Sequence, residues 1–274
     1  MLLPHSRDTA ARPARRIRPR PAGAAAVGAA SVLVLTAMTG SAGAIVNGDR
    51  STERYPFMAT VPMSVYDAQC GASLIHPQWL LTAGHCVERT MMTGKVRVGS
   101  ENRKHGGTVR EVDKIIRHPG YSAGGGHRSQ DDIALIRMDR PVGQRPIAIA
   151  KKPGGAGTPT RLLGFGTVYD TPEAERWVFP DRLQQLDARR AAASECSGIG
   201  AKELCTTSPR ARAMACNGDS GGPQLQRNGA GRWELIGATS GDGDTDPLCA
   251  SGKGIYTDVT AYKGWISRNI ARNS

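Results

Sequence analysis

The sequence predicts an all-β protein carried behind a removable leader, and three observations lead there. First, 34 glycines and 17 prolines in 274 residues place many turns around short strands. Second, alternating or β-branched runs recur at Tyr55 to Val65, Gly71 to Leu81, Val96-Arg97-Val98 and Val109 to Ile116, the pattern of half-buried strands. Third, six cysteines in a chain with an export-like start imply disulfide staples. The charged content, 22%, is ordinary, and the length suffices for a sizeable core in one or two domains.

Residues 1–44 stand apart from that core. Arg7, Arg12, Arg15, Arg16, Arg18 and Arg20 precede an uncharged Ala- and Val-rich run from about Pro21 to Gly40, and Ala42-Gly43-Ala44 fits a small-residue cleavage site. A signal peptide is therefore predicted, with a secreted product that has no membrane attachment after cleavage. The apolar run is diluted by Ala and Gly and falls short of the ~20 strongly apolar residues a membrane span needs. Arg15-Arg16 raises twin-arginine export, though its flanking residues match that signal poorly.

The whole chain carries 36 Lys and Arg against 24 Asp and Glu; without the six leader arginines and Asp8, 30 stand against 23, a balance of +7. Such a surface tolerates acidic partners, but no basic run interleaved with aromatics predicts nucleic-acid binding. No Cys-x-x-Cys pair occurs, so neither a metal nor another cofactor is predicted.

The most informative stretch is Cys216-Asn217-Gly218-Asp219-Ser220-Gly221-Gly222-Pro223. A serine between small, turn-forming residues, tied at one end by a cysteine, belongs on a rigid exposed loop. Acyl transfer needs a reachable hydroxyl together with backbone N–H groups aimed at the oxygen that becomes negative. Gly218 and Ser220 are placed to supply those two N–H groups, since glycine permits the turn that points them outward.

This string resembles the nucleophile loop of the chymotrypsin-like serine proteases of the trypsin family. Two further segments extend the resemblance. Cys70-Gly71-Ala72-Ser73-Leu74-Ile75 and Trp79-Leu80-Leu81-Thr82-Ala83-Gly84-His85-Cys86 look like the family's histidine segment, and Asp132-Ile133-Ala134-Leu135-Ile136 looks like its aspartate segment. The order His85, Asp132, Ser220 also matches. An esterase of the α/β-hydrolase type would have its histidine last, and a non-catalytic relative would lack a triad member.

The resemblance implies two packed six-stranded antiparallel β-barrels with a C-terminal α-helix, covering residues 45–274 with a boundary near 150–160. It implies a secreted, bacterial-type serine endopeptidase acting as a monomer on polypeptide substrates. Ser220 is the implied nucleophile, His85 the base and then acid, and Asp132 the group that orients the histidine. Asp131 competes for that last role, but Asp132 directly abuts the apolar strand and is the choice. Cleavage after Ala44 frees Ile45-Val46-Asn47-Gly48, which resembles the family's mature start, so Ile45 and Asp219 form the implied activation pair. The resemblance selects one disulfide pattern of the fifteen that six cysteines allow: Cys70–Cys86, Cys196–Cys205 and Cys216–Cys249.

For the specificity pocket the resemblance points to Met214, Ala215, Ser240, Asp242 and Gly254. Met214 stands where trypsin-like members carry an aspartate, which predicts an apolar, adaptable floor and uncharged or aromatic substrate side chains. Gly241-Asp242-Gly243-Asp244 departs from the usual Trp-Gly, and either aspartate offers an alternative, cleavage after Arg or Lys. Relatives bind calcium in the loop corresponding to Ser100–Thr108. Here Glu101 and Asn102 stand among Arg103, Lys104 and His105, too few hard oxygen ligands for such a site.

Overall fold

The computed structural model describes residues 45–88, 90–122 and 129–273; the predicted leader lies outside them. Strand β1 (Asp49–Arg50) is followed by β2 (Met58–Pro62), β3 (Gln69–His76), β4 (Trp79–Thr82), β5 (Lys95–Val98), β6 (Thr108–Arg117) and β7 (Ala134–Met138). Strands β2 to β7 close into an antiparallel barrel in the order β2-β3-β4-β7-β6-β5. Next come β8 (Pro159–Gly164), β9 (Gln184–Arg190), β10 (Glu203–Thr207), β11 (Pro223–Arg227), β12 (Trp233–Asp242) and β13 (Gly254–Asp258). Their order, β9-β10-β13-β12-β11-β8, is closed by β8 pairing with β9, while β1 adds to the flank of β9. Helix α1 (Lys263–Arg272) completes the chain. The architecture is thus two closed six-stranded antiparallel barrels and a C-terminal helix, and closure leaves neither barrel a long unpaired edge.

Apolar strand residues, buried on both faces along most of β2, β3 and β4, fill the interiors. Leu74, Leu80, Leu81, Val98, Ile136 and Met138 are fully buried in the first barrel, and their cluster runs on through Leu163, Phe165, Leu183 and Leu235 of the second. Each such side chain contributes roughly 1.5–3 kcal/mol by leaving water. Leu162, Leu186, Leu204, Ile236 and Tyr256 form a separate core inside the second barrel, together with Ile45 and Met214.

Two strand expectations need correction. The run Gly71 to Leu81 is a hairpin, β3 and β4, with His76 opposite Trp79 across Pro77-Gln78. Pro77 has no N–H to give a ladder, so the strand stops there. Tyr55 to Val65 contracts to Met58–Pro62, because Pro56 and Pro62 bound it for the same reason. Between the barrels, the connection bonds first to one and then to the other: Ile147 N–H donates to Leu74 O and Ala150 N–H to Leu235 O, both near 2.9–3.0 Å.

Candidate active site

Asp132 lies just before β7, and its carboxylate is nearly sealed from water, the side chain being 3% exposed. Four groups hold it. The His85 N–H donates to Oδ1 at 2.9 Å, the His85 ring nitrogen Nδ1 lies 2.8 Å from Oδ2, and the Ser240 hydroxyl donates to Oδ2 at 2.7 Å. Thr257 Oγ1 secures the Asp132 main-chain carbonyl at 2.8 Å. Burial pushes the Asp132 carboxyl up, but the His85 hydrogen bond and charge and the Ser240 bond together hold it below its usual range. An ionised Oδ2 accepts, so Nδ1 carries the proton and Nε2 is left free as a base.

Its neighbour Asp131 faces elsewhere. It takes φ +56°, and the Tyr262 hydroxyl donates to its carboxylate at 2.6 Å and Lys202 Nζ at 3.3 Å.

Ser220 is half-buried at the start of a tight turn before β11. Its carbonyl accepts from Gly71 N–H at 2.7 Å, which ties the loop to β3 beside the histidine segment. The close approach demands glycine there, since a Cβ on Gly71 would sit 2.6 Å from Gly222 Cα. Among the described residues no hydrogen bond joins Ser220 Oγ to the His85 ring in this conformation. Such contacts shorten when substrate arrives.

The peptide between Asn217 and Gly218 is held by one bond, Thr167 N–H to Asn217 O at 2.7 Å. In a trans peptide the N–H points opposite to the C=O, so this bond turns the Gly218 N–H away from Thr167. Gly218 takes φ +92°, open to glycine and costly for other residues. Neither the Gly218 nor the Ser220 N–H has an acceptor among the described residues.

Asp219 is buried behind Ser220 and accepts from Gly166 N–H at 2.8 Å and Cys216 N–H at 3.0 Å. A Cβ at Gly164 or Gly166 would overlap its carboxylate. Burial raises its pKa to about 7 despite those two bonds. Ile45 is fully buried in the neighbouring core, and Val46 bridges to Met214. Ile45 has φ +65°, strained for a β-branched residue that still has a peptide before it.

Beside Ser220 opens a cavity of ≈ 150 Å³ whose wall includes Ala215, Ser240, Asp242, Gly254 and Tyr256. Met214 is not part of that wall. It is fully buried, its sulfur packed beneath Gly254, where a Cβ would lie 3.2 Å from it. Asp242 is the one carboxylate bordering the cavity, and it also borders a second hollow of ≈ 390 Å³ shared with His85, Tyr121 and Asp244. Partial burial, then the charges of Asp244, Asp170 and Asp246, raise its pKa.

The family model described as Trypsin matches residues 45–266. The chain belongs to the trypsin family. Kallikrein-5 of Homo sapiens is 32% identical over 247 residues, which span 85% of this chain and 79% of that protein. Trypsin 5G1 of Aedes aegypti is 28% identical over 239 residues, 82% of this chain and 85% of the relative. The solved structure of neuropsin, a serine protease expressed in the limbic system of mouse brain, superposes with a TM-score of 0.70 at 26% identity, covering 82% of this chain and 100% of that one. The chain is accordingly a serine endopeptidase, a hydrolase of polypeptides. These relatives are animal proteins, so the bacterial type expected from the sequence has no support among them.

Three disulfides staple this trypsin-family domain: Cys70–Cys86, Cys196–Cys205 and Cys216–Cys249. The first lies beside His85 and the third joins Cys216 to Cys249 on the wall of the cavity. The sulfurs near His85 and near Asp170 are therefore bonded to each other and are not thiolates able to hold a metal ion. Several supporting groups escaped the sequence reading: Thr167, Thr257, Tyr121 and the N–H of Gly71. Each acts through one backbone bond or one packed face, and no local string marks such a role.

The loop between β5 and β6 does not fit calcium, because a side chain occupies its centre. Arg97 Nε donates to Arg103 O at 3.1 Å, Nη2 to Lys104 O at 2.9 Å and Nη1 to Gly106 O at 2.6 Å. The converging carbonyls that would hold a cation already hold a guanidinium, and Glu101 is turned to Arg54 at 3.7 Å. Chelation with EDTA is therefore expected to leave the melting temperature within about 1 °C. Arg97→Ala is expected to cost about 1–2 kcal/mol, a fall of several degrees read by calorimetry. A several-degree loss on chelation of the parent protein contradicts this account.

Proposed function

We propose that this trypsin-family chain is an exported endopeptidase whose triad is Ser220, His85 and Asp132. The carrying observation is the Asp132–His85 pair at 2.8 Å, which leaves Nε2 free as a base, while Cys86, next to His85, meets the Ser220 carbonyl at 3.5 Å. Ser220 Oγ attacks the scissile carbonyl as His85 Nε2 takes its proton. The tetrahedral oxyanion accepts from Gly218 and Ser220 N–H, and the proton passes from His85 to the leaving amine. Water then repeats the sequence on the acyl-enzyme, releasing the acid and restoring Ser220. Asp132 orients the ring and stabilises its cation without taking the proton.

Removal of the leader after Ala44 supplies the second part of the proposal. A free Ile45 ammonium would pair with Asp219, and two features support this: a buried carboxylate with no charged partner among the described residues, and an Ile45 φ whose strain ends when the preceding peptide is cut. Among the described residues no helix is long and apolar enough to cross a membrane.

On specificity the geometry favours the alternative over an apolar floor. Met214 lies behind the wall, whereas Asp242 borders the cavity among like charges that a cationic side chain would relieve. Digestion of a mixed peptide library, with the fragments sequenced, tests both levels. Cuts after Arg or Lys are expected, and Asp242→Asn should lower kcat/KM for them by about tenfold or more. Cuts after Leu, Met, Phe or Tyr in the parent overturn the Asp242 reading and restore the apolar one. No cleavage at all overturns the proposal.

A further inference from the structure

Arg103 belongs to the loop closed on Arg97, yet its side chain is only 7% exposed. It is buried by residues that come from both barrels. Nη2 donates to Asp67 Oδ2 at 2.6 Å and to Phe179 O at 3.3 Å, and Nη1 to Asp67 O at 3.1 Å. Nε faces Asp181 Oδ1 at 3.7 Å, and the guanidinium carbon stands 5.9 Å from the centre of the Phe179 ring. The main chains are joined as well: Arg103 N–H donates to Asp181 O and Leu183 N–H to Glu101 O, each at 2.9 Å. The segment 179–183 is thus fastened to the first barrel by charge, by a ring face and by backbone.

Phe179 is where this fastening reaches the chemistry. A Cβ built on Gly218 would lie 2.7 Å from Phe179 Cε1 and 3.2 Å from Cδ1, so the ring edge rests directly on Gly218. Trp177 backs the ring edge-on at 6.3 Å, and Tyr66 backs Trp177 at 6.1 Å. Gly166 Cα stands 3.0 Å from the same Cβ position, and Thr167 N–H holds Asn217 O. The 217–218 peptide and Gly218 are therefore held by Gly166-Thr167 and Phe179 together.

We propose that Arg103 and Phe179 are positioning residues that keep the Gly218 N–H turned toward the oxyanion. The proposal rests on the triad reading above. A peptide held by one hydrogen bond can rock about it; the ring packed against Gly218 removes that freedom, and Arg103 holds the ring in place. Such a brace acts on the charge that develops in the transition state and little on the bound substrate, so it is read in kcat and not in KM. Lys104 sits on the same loop and faces the same two carboxylates, Asp67 and Asp181, at 3.7 and 3.4 Å, but makes no contact with Phe179.

The test uses the processed chain beginning at Ile45, assayed on one peptide amide well below each variant's melting temperature. Phe179→Ala and Arg103→Ala are each expected to lower kcat about tenfold, a fraction of the 10²–10³ that loss of an oxyanion donor costs, with KM within about twofold. Affinity for a peptide aldehyde, whose adduct places an oxyanion in the same position, should fall by the same factor. Phe179→Leu, which keeps bulk against Gly218, should recover most of the loss, and Lys104→Ala should leave kcat unchanged. If Arg103→Ala fails to fold, the Phe179 pair decides alone. Unchanged kcat in Phe179→Ala, a change confined to KM, or an equal loss in Lys104→Ala overturns the brace. An inactive parent overturns the triad reading and the brace together, whereas an active parent with indifferent variants overturns the brace alone.

Discussion

Ser220→Ala is expected to lower kcat for peptide hydrolysis by about five to six powers of ten while leaving the fold intact. The size follows from the division of labour. Without the hydroxyl no acyl-enzyme forms, His85 has no proton to take, and only binding and the two N–H donors remain to help a water attack. Stability should not change, because Ser220 Oγ makes no hydrogen bond among the described residues and the turn is set by main-chain bonds from Gly71, Gly221 and Gly222. Steady-state rates on a peptide amide, with melting curves beside them, measure both. A variant that keeps a tenth of the parent rate would remove Ser220 from the nucleophile's role.

The second large effect concerns Ile45. A mature chain extended by one residue at this end is expected to lose about 10²–10³ in activity, because leaving Asp219 buried without its partner costs about 3–5 kcal/mol and shifts the loop away from the competent arrangement. The pH dependence gives the sign. In the extended chain the Asp219 pKa is raised from 3.8 to about 7, so the folded state holds its proton more tightly than the unfolded one. That contribution is fully present below pH 3.8 and is lost as pH rises toward 7, on the order of 4 kcal/mol in all. In the processed chain an ammonium is expected to hold the carboxylate ionised, so the loss should disappear. Melting temperatures of both chains from pH 4 to 8 should diverge as pH rises, the extended one falling away. Parallel curves, or full activity in the extended chain, would contradict the pairing.

Both effects are attached to short contiguous strings, and these are the parts of the molecule most legible from residues alone. The turn that exposes a nucleophile needs Gly218, Gly221 and Gly222 at fixed offsets, and the family membership and the two-barrel architecture follow from strings of this kind. The segment Gly71 to Leu81 was less legible, since periodicity does not see that Pro77 turns one long strand into a hairpin. Pocket walls were harder still. They are assembled from chain segments far apart, the cavity beside Ser220 drawing on Ala215 and Cys216, Ser240 and Asp242, and Gly254 and Tyr256.

By itself the sequence determined which chemistry this protein carries, because the reacting groups and the turns that expose them are specified by neighbours a few residues away. Tertiary structure alone showed what each side chain meets. Asp131 is claimed by Tyr262 and Lys202, leaving Asp132 to His85. Met214 sinks beneath Gly254 while Asp242 borders the cavity, and an arginine fills the centre of the loop between β5 and β6. The physical reason is common to all three: a side chain's direction is set by what fills the space around it, and in closed barrels that space is bounded by strands distant in the chain.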